Sequence, residues 1–342
     1  MRIPVSILDV SPVISGSSSA QALRNSADLA RFADARGFTR YWFAEHHNSG
    51  GIASTTPEIL IAQIAQQTRH MRVGSGGVML PNHAPLKVAE SFRLLESLYP
   101  DRIDLGIGRA PGTDGMTALA LRRSQEALNA EDFPQQLAEL IAFSTHGFPE
   151  NHPFRTITAY PDDVPLPPIW LLGSSGFSTQ LASMMGLGFA FAHHINGEAA
   201  IPAMVGYREN FTPSEQFPKP HAILSVSAIA ADTDAEANDL ALSVQFAFMN
   251  LRQGRSGPLL SPEEVMAYSL GAFERQQMAA IAERHFVGSP ATIRERLFPL
   301  IEATQADELM ILTMVHNHEA RLRSYELMAE LFEVEPAAEA VR

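Results

Sequence analysis

An aromatic run, Tyr41-Trp42-Phe43, ends in Glu45-His46-His47. A carboxylate and imidazoles at the end of a buried strand can exchange protons near neutral pH, which makes His46 and Glu45 candidates for catalytic acid/base work. Two other readings stand beside that one: a hydrogen-bonded pair packed for structure, and a metal site. Adjacent histidines diverge from an extended backbone, and the HExxH spacing that puts two imidazoles on one helix face is absent. A metal would therefore need ligands from elsewhere in the chain.

Three further clusters could hold a ligand. The run Arg72-Val73-Gly74-Ser75-Gly76-Gly77-Val78-Met79-Leu80-Pro81 carries three glycines in a strand pattern, which marks a bulge or a close approach of backbone to ligand. Gly76-Gly77, next to Ser75, leaves room for a flat ring, and a strained or cis peptide is an expectation there. Tight packing against a neighbouring strand explains the same glycines. Gly106-Ile107-Gly108-Arg109-Ala110-Pro111-Gly112 misses the dinucleotide fingerprint, because its third glycine is one residue late and no helix pattern follows. Arg109 can hold a phosphate or a ring carbonyl, or pair with a nearby acid. Gly173-Ser174-Ser175-Gly176-Phe177-Ser178 precedes a helical pattern over Gln180–Met185. Ser174, Ser175 and Gly176 would offer hydroxyls and free N–H groups to an anion, or form an ordinary cap. The lysine of a P-loop is missing, which argues against an NTPase. His193-His194 follows the sixth strand-like run and is expected to face the same mouth, but neither it nor His83, His316 and His318 receives a role from sequence. No GxSxG elbow occurs, so cofactor chemistry is favoured over acyl transfer.

The elements that must position these clusters alternate. Apolar, strand-like runs cover Ile3–Leu8, Tyr41–Phe43, Arg72–Leu80, Ile103–Ile107, Ile169–Leu172, Phe189–Ala192, Ala222–Ile229 and Glu308–Thr313. Helical spacing lies between them, as in Gln21–Arg36, Pro57–Thr68, Pro85–Leu98 and Ala291–Ala303. Runs without a polar face belong in a parallel sheet covered on both sides, and eight βα units suggest an α/β fold of the (β/α)8 TIM-barrel type. A doubly wound sheet is the alternative. In a barrel the active site lies at the C-terminal strand ends, where all four clusters fall. Two stretches, 110–168 and 250–287, are insertions after strands 4 and 7, with Gly254 to Pro258 expected as a mobile loop. Residues 1–334 form one domain, and the Ala/Glu-rich 335–342 is expected to fray.

The chain has 342 residues, a formal net charge of -13 and no cysteine. With no cluster of Lys and Arg, nucleic acid is not an expected partner. Disulfides, Fe–S clusters and thiol nucleophiles are excluded. The start, MRIPVSILDVSP, is no secretory signal, and no run approaches the ~20 apolar residues of a membrane span. The expectation is a soluble cytoplasmic protein.

In order, Trp42 to His47, Arg72 to Pro81, Arg102 to Arg109, Gly173 to Ser178 and Val287 to Pro290 resemble the bacterial-luciferase-like flavin monooxygenase family, nearest its alkanal-monooxygenase-like branch. The resemblance covers roughly residues 1–330. It implies a homodimeric barrel, though some relatives pair unlike chains, that uses reduced FMN and O2, through a flavin C4a-peroxide, to oxidise a small organic substrate. It implies that Gly76-Gly77 lies along the isoalloxazine and that Arg109 contacts the flavin. Ser174, Ser175 and Gly176 match the loop that holds the FMN phosphate, and His46 matches the acid/base histidine. Gly108 stands where luciferase has a reactive cysteine, and Ser174 where it has a carboxylate, so light emission and luciferase's own substrate are not implied. A separate flavin reductase is expected. The alternatives are an F420-dependent hydride-transfer enzyme on the same barrel, a non-catalytic flavin-binding protein, and a metal-dependent hydrolase.

Overall fold

Apolar runs rich in β-branched and aromatic residues need burial on both faces, and a parallel sheet wrapped by helices provides it. The computed structural model describes residues 2–337. Among them are strands Val5–Asp9 (β1), Arg40–Phe43 (β2), Arg72–Ser75 (β3), Val78–Met79 (β4), Ile103–Gly108 (β5), Ile169–Gly173 (β6), Gly188–Ala192 (β7), Ala222–Ala230 (β8), Phe286–Gly288 (β9) and Glu308–Leu312 (β10). All neighbours pair in parallel, in the order β1–β2–β3–β5–β6–β7–β8–β10, and β10 closes on β1. With β4 continuing the line of β3, eight staves form a (β/α)8 barrel. Three-residue β9 pairs with the end of β8 outside the ring.

The expected single strand Arg72–Leu80 is broken in two. Val73 sits opposite Ile103, whereas Val78 sits opposite Ile107, so five residues of one strand face four of the other. The extra residue is taken up around Gly76-Gly77, whose peptide is cis. Leu80–Asn82 is a 3-10 turn rather than strand.

Strand alternation divides the interior. Ile7, Tyr41, Val73, Ile103 and Leu224 pack outward under the helices. Leu8, Trp42, Trp170, Ile223 and Met310 pack inward and fill the lumen. Below them, at the N-terminal strand ends, lies a buried ionic floor. The Arg40 guanidinium donates to Glu308 at 2.9 Å and to Asp104 at 2.8 Å, and Arg72 donates to Asp104 at 2.8 Å. Trp42 Nε1 also donates to Asp104, at 3.1 Å, and Arg40 lies 4.6 Å over the Trp170 ring.

The helices start and stop where local chemistry dictates. Helix Ser19–Arg36 begins before the expected Gln21, because the Ser18 hydroxyl accepts from Gln21 N–H at 3.2 Å; it ends at Gly37, whose φ of 85° suits glycine. Helix Pro290–Thr304 follows the Ser289 cap with proline in its first turn. The two insertions follow β5 and β8, which are the fourth and seventh staves. The first carries helices Gly115–Arg122, Gln125–Asn129 and Phe133–Thr145; the second carries Pro262–Met266 and Ala272–Ala282. The Gly254 to Pro258 loop lies against the β2 loop, with Ser256 and Ser49 hydroxyls 2.9 Å apart, while Leu259 N–H donates to the Val13 carbonyl at 2.8 Å. Residues 338–342 of the expected frayed tail lie outside the described residues; within them Glu335 pairs with Arg2 at 2.6 Å. No helix among the described residues is long and apolar enough to cross a membrane.

One glycine sets a strict packing limit. A Cβ on Gly106 would lie 2.0 Å from the Ser75 carbonyl oxygen. Backbone cannot swing away as a side-chain tip can, so Gly106→Ala is expected to destabilise the barrel by about 3 kcal/mol, the upper end for overpacking. A urea midpoint within error of the parent would contradict that packing.

Candidate active site

The residues at the mouth follow the ends of β2, β4, β5, β6 and β7. Glu45 is buried and its carboxylate is fully engaged. It accepts from His47 Nε2 at 2.7 Å, from His83 Nε2 at 2.9 Å and from Met79 N–H at 3.0 Å. Burial alone would raise its pKa, but the His83 hydrogen bond and charge, with the bonds from His47 and Met79, outweigh it and hold the carboxyl below the ordinary value. Burial likewise depresses His83, and Glu45 reverses the sign, so that His83 titrates above its ordinary value. Glu45 therefore clamps the β2 loop to the β4 segment.

His46 is different. Its backbone is fixed by donation to the Ser54 carbonyl at 3.0 Å, yet neither ring nitrogen has a hydrogen-bond partner among the described residues. Nδ1 is buried and unpaired. Burial lowers its pKa against the opposing charge of Glu45, so the ring is neutral at pH 7. A half-buried imidazole with both nitrogens free is equipped to accept or return a proton. His194, after β7, is also neutral: burial drives it down to about 4, while Nδ1 lies 3.3 Å from the Ser225 carbonyl.

The third component is the start of helix Gly176–Met185. Ser175 occupies the cap position, but its hydroxyl makes no capping bond. The first-turn N–H groups of a helix have no partner within it, and their dipole favours an anion. Open space surrounds the Cβ position of Gly176. Arg109, exposed at the end of β5, lies with its guanidinium 4.4 Å over the Phe177 ring on that same first turn. Arg109 makes no ion pair among the described residues, so the salt-bridge reading is not what the structure shows. Ser174 sits beside it, its carbonyl accepting from Asn196 at 3.0 Å.

The structure thus brings Arg109 to the helix turn that Ser174, Ser175 and Gly176 lead into, and keeps His46 at the same end of the barrel. It gives Ser75 a different task. That hydroxyl donates to the Gly106 carbonyl at 2.8 Å and accepts from Gly106 N–H at 3.0 Å, stitching β3 to β5, so it is not free for a ligand. The strand glycines are accounted for by packing: a Cβ on Gly76 would meet Leu8 at 2.7 Å, and one on Gly77 the Gly106 carbonyl at 2.8 Å. No group of three or more His, Asp or Glu among the described residues could hold a metal ion. Sequence reasoning left His83 and His194 without a role and missed Phe177 as the platform for Arg109. For the histidines a signal existed, since His83 and His194 also follow strand-like runs.

The luciferase-like monooxygenase profile matches residues 1–306. A luciferase-like monooxygenase of Escherichia coli (strain K12) is 43% identical over 97% of this chain and 97% of its own. N-acetyl-S-alkylcysteine monooxygenase of Bacillus subtilis is 33% identical over 96% of this chain and 98% of its own. The crystal structure of apo-MsnO8 superposes with a TM-score of 0.88 at 38% identity, covering 98% of this chain and 99% of that one. This chain belongs to the luciferase-like monooxygenase family and is an oxidoreductase enzyme.

Proposed function

We propose that the chain is the oxygenase of a two-component system, in which a separate reductase delivers reduced FMN and the chain uses it with O2 to oxidise a small organic substrate. The observation that carries the cofactor assignment is the open first turn of helix Gly176–Met185, with the unpaired Arg109 stacked on its Phe177. Two hydroxyls, free N–H groups and a guanidinium fit a phosphate dianion. In this reading Arg109, Ser174, Ser175 and Gly176 hold the FMN phosphate, and the ring runs along Gly76-Gly77. Reduced FMN supplies the electrons that let one oxygen atom enter the substrate while the other leaves as water. His46 holds or takes the proton that this chemistry moves. Glu45 positions its loop, and the apolar lumen below excludes water. The substrate of the B. subtilis relative is an N-acyl thioether, and N-acetyl-S-benzylcysteine is the first probe of that class.

Anaerobic titration tests the assignment. Arg109→Ala is expected to weaken reduced FMN about 10- to 100-fold, as loss of a charged hydrogen bond does, while riboflavin, which lacks the phosphate, binds the variant and the parent alike. An equal loss for riboflavin would overturn the phosphate assignment. Binding of F420 in place of FMN would turn the reading to hydride transfer.

A further inference from the structure

The ring of staves places a second imidazole opposite the first. His46 follows β2 and His194 follows β7, which are four staves apart in either direction around the eight. His194 Nδ1 faces the Ser225 carbonyl, which fixes the proton on Nδ1 and leaves Nε2 as an acceptor. Nε2 makes no hydrogen bond among the described residues. Two hydroxyls accompany it on the neighbouring strand. Ser225 and Ser227 share the face of β8 that carries Ile223 into the lumen. They are 4% and 1% exposed, and neither Oγ has a partner among the described residues. A buried hydroxyl without a partner is costly, and these two stand on a wall whose neighbours Val10, Ala44 and Leu312 are apolar.

The cradle for the phosphate and the Gly76-Gly77 strip lie on the β3, β5 and β6 staves. The β7–β8 wall is the next part of the ring, and it offers one fixed acceptor and two donors. We propose that this wall recognises an amide of the organic substrate: His194 Nε2 accepts the amide N–H, and the Ser225 or Ser227 hydroxyl donates to its carbonyl oxygen. The inference rests on the monooxygenase reading above and narrows it, since a simple aldehyde or ketone has no N–H to give. His194 is then the residue that sets specificity, while His46 serves the chemistry. Its low pKa keeps Nε2 unprotonated at pH 7.

The test uses a matched pair on the FMN-loaded protein: N-acetyl-S-benzylcysteine and its ester isostere, in which the amide N–H is replaced by oxygen. The parent is expected to bind the amide about 10-fold more tightly, the worth of one buried hydrogen bond. His194→Phe removes the acceptor and is expected to bind both probes equally. His194→Gln, whose Oε1 can accept, restores part of the preference. FMN affinity is the same in all three. The proposal is overturned by a parent that shows no preference or fails to bind the amide, or by a His194→Phe variant that loses FMN instead. FMN binding is measured first and separately. If the protein takes no FMN, the flavin reading fails by itself, and the same pair titrated against the flavin-free chain still decides the role of His194.

Discussion

Arg40→Met is expected to remove about 3–5 kcal/mol of stability, the cost of stranding buried charge, read as a lower urea midpoint. In the folded chain two guanidinium groups, Arg40 and Arg72, balance two carboxylates, Asp104 and Glu308, on the barrel floor. Without Arg40, Glu308 keeps only a hydroxyl and the edge of His221 beside it. Methionine matches the arginine stem in length, so volume loss is not the cause. Replacing Arg40, Asp104 and Glu308 together with apolar residues is expected to recover much of the loss, because no charge is then left unpaired. The floor also sets an acid limit. Burial would raise both carboxyls, but Arg40 and Arg72 hold Asp104 below its ordinary 3.8, and Arg40 chiefly holds Glu308 below its ordinary 4.5. Groups depressed in the folded state contribute stability that is complete above their ordinary values. It is lost as pH falls from about 4.5 through the folded values, and the parent's melting temperature is expected to follow that course. Arg40→Met loses most of it.

His46→Ala is expected to slow substrate oxidation by about 10²- to 10⁴-fold, the range for a positioned general acid or base, with reduced FMN bound as tightly as by the parent. The contrast among the three histidines around Glu45 is the reason. His47 and His83 are tied to Glu45, whereas the His46 ring has no partner among the described residues. Stopped-flow turnover and equilibrium flavin binding, measured side by side, separate the roles; equal losses in both would make His46 a binding residue instead. Because burial lowers its pKa below the ordinary 6.5, a rate that needs the neutral ring should persist below pH 6.5 and fall only as the depressed value is crossed.

The barrel was legible because its strands are apolar on both faces, and because Pro57, Pro85 and Pro290 mark helix starts while Gly37 marks a stop. The broken third stave was not, since Arg72 to Leu80 reads as one continuous run and only pairing with β5 shows five residues facing four. Strand β9 is three residues long, too short for periodicity to register. At the site, strand ends pointed to His46 and Arg109. What each side chain touches was invisible: Ser75 and Arg109 both looked ligand-bound, yet one hydroxyl is turned into the β3–β5 seam and only the guanidinium is free. The ionic floor had a signal that went unused. Arg40, Arg72, Asp104 and Glu308 each stand at or next to the first residue of an apolar run, and charges repeated at one level of a barrel belong together.

That floor makes the barrel a cup. Its base is filled by the ion pairs and by the Trp42–Trp170 pair above them, whose ring centroids lie 5.6 Å apart. In the proposed reaction cofactor and substrate would both enter at the mouth where His46 and Arg109 stand, and traffic becomes a matter of order. Whatever seats deepest must arrive first and leave last. In that reading a protein that loads the cup would meet the mouth, which leaves the filled end free to diverge without touching the reaction.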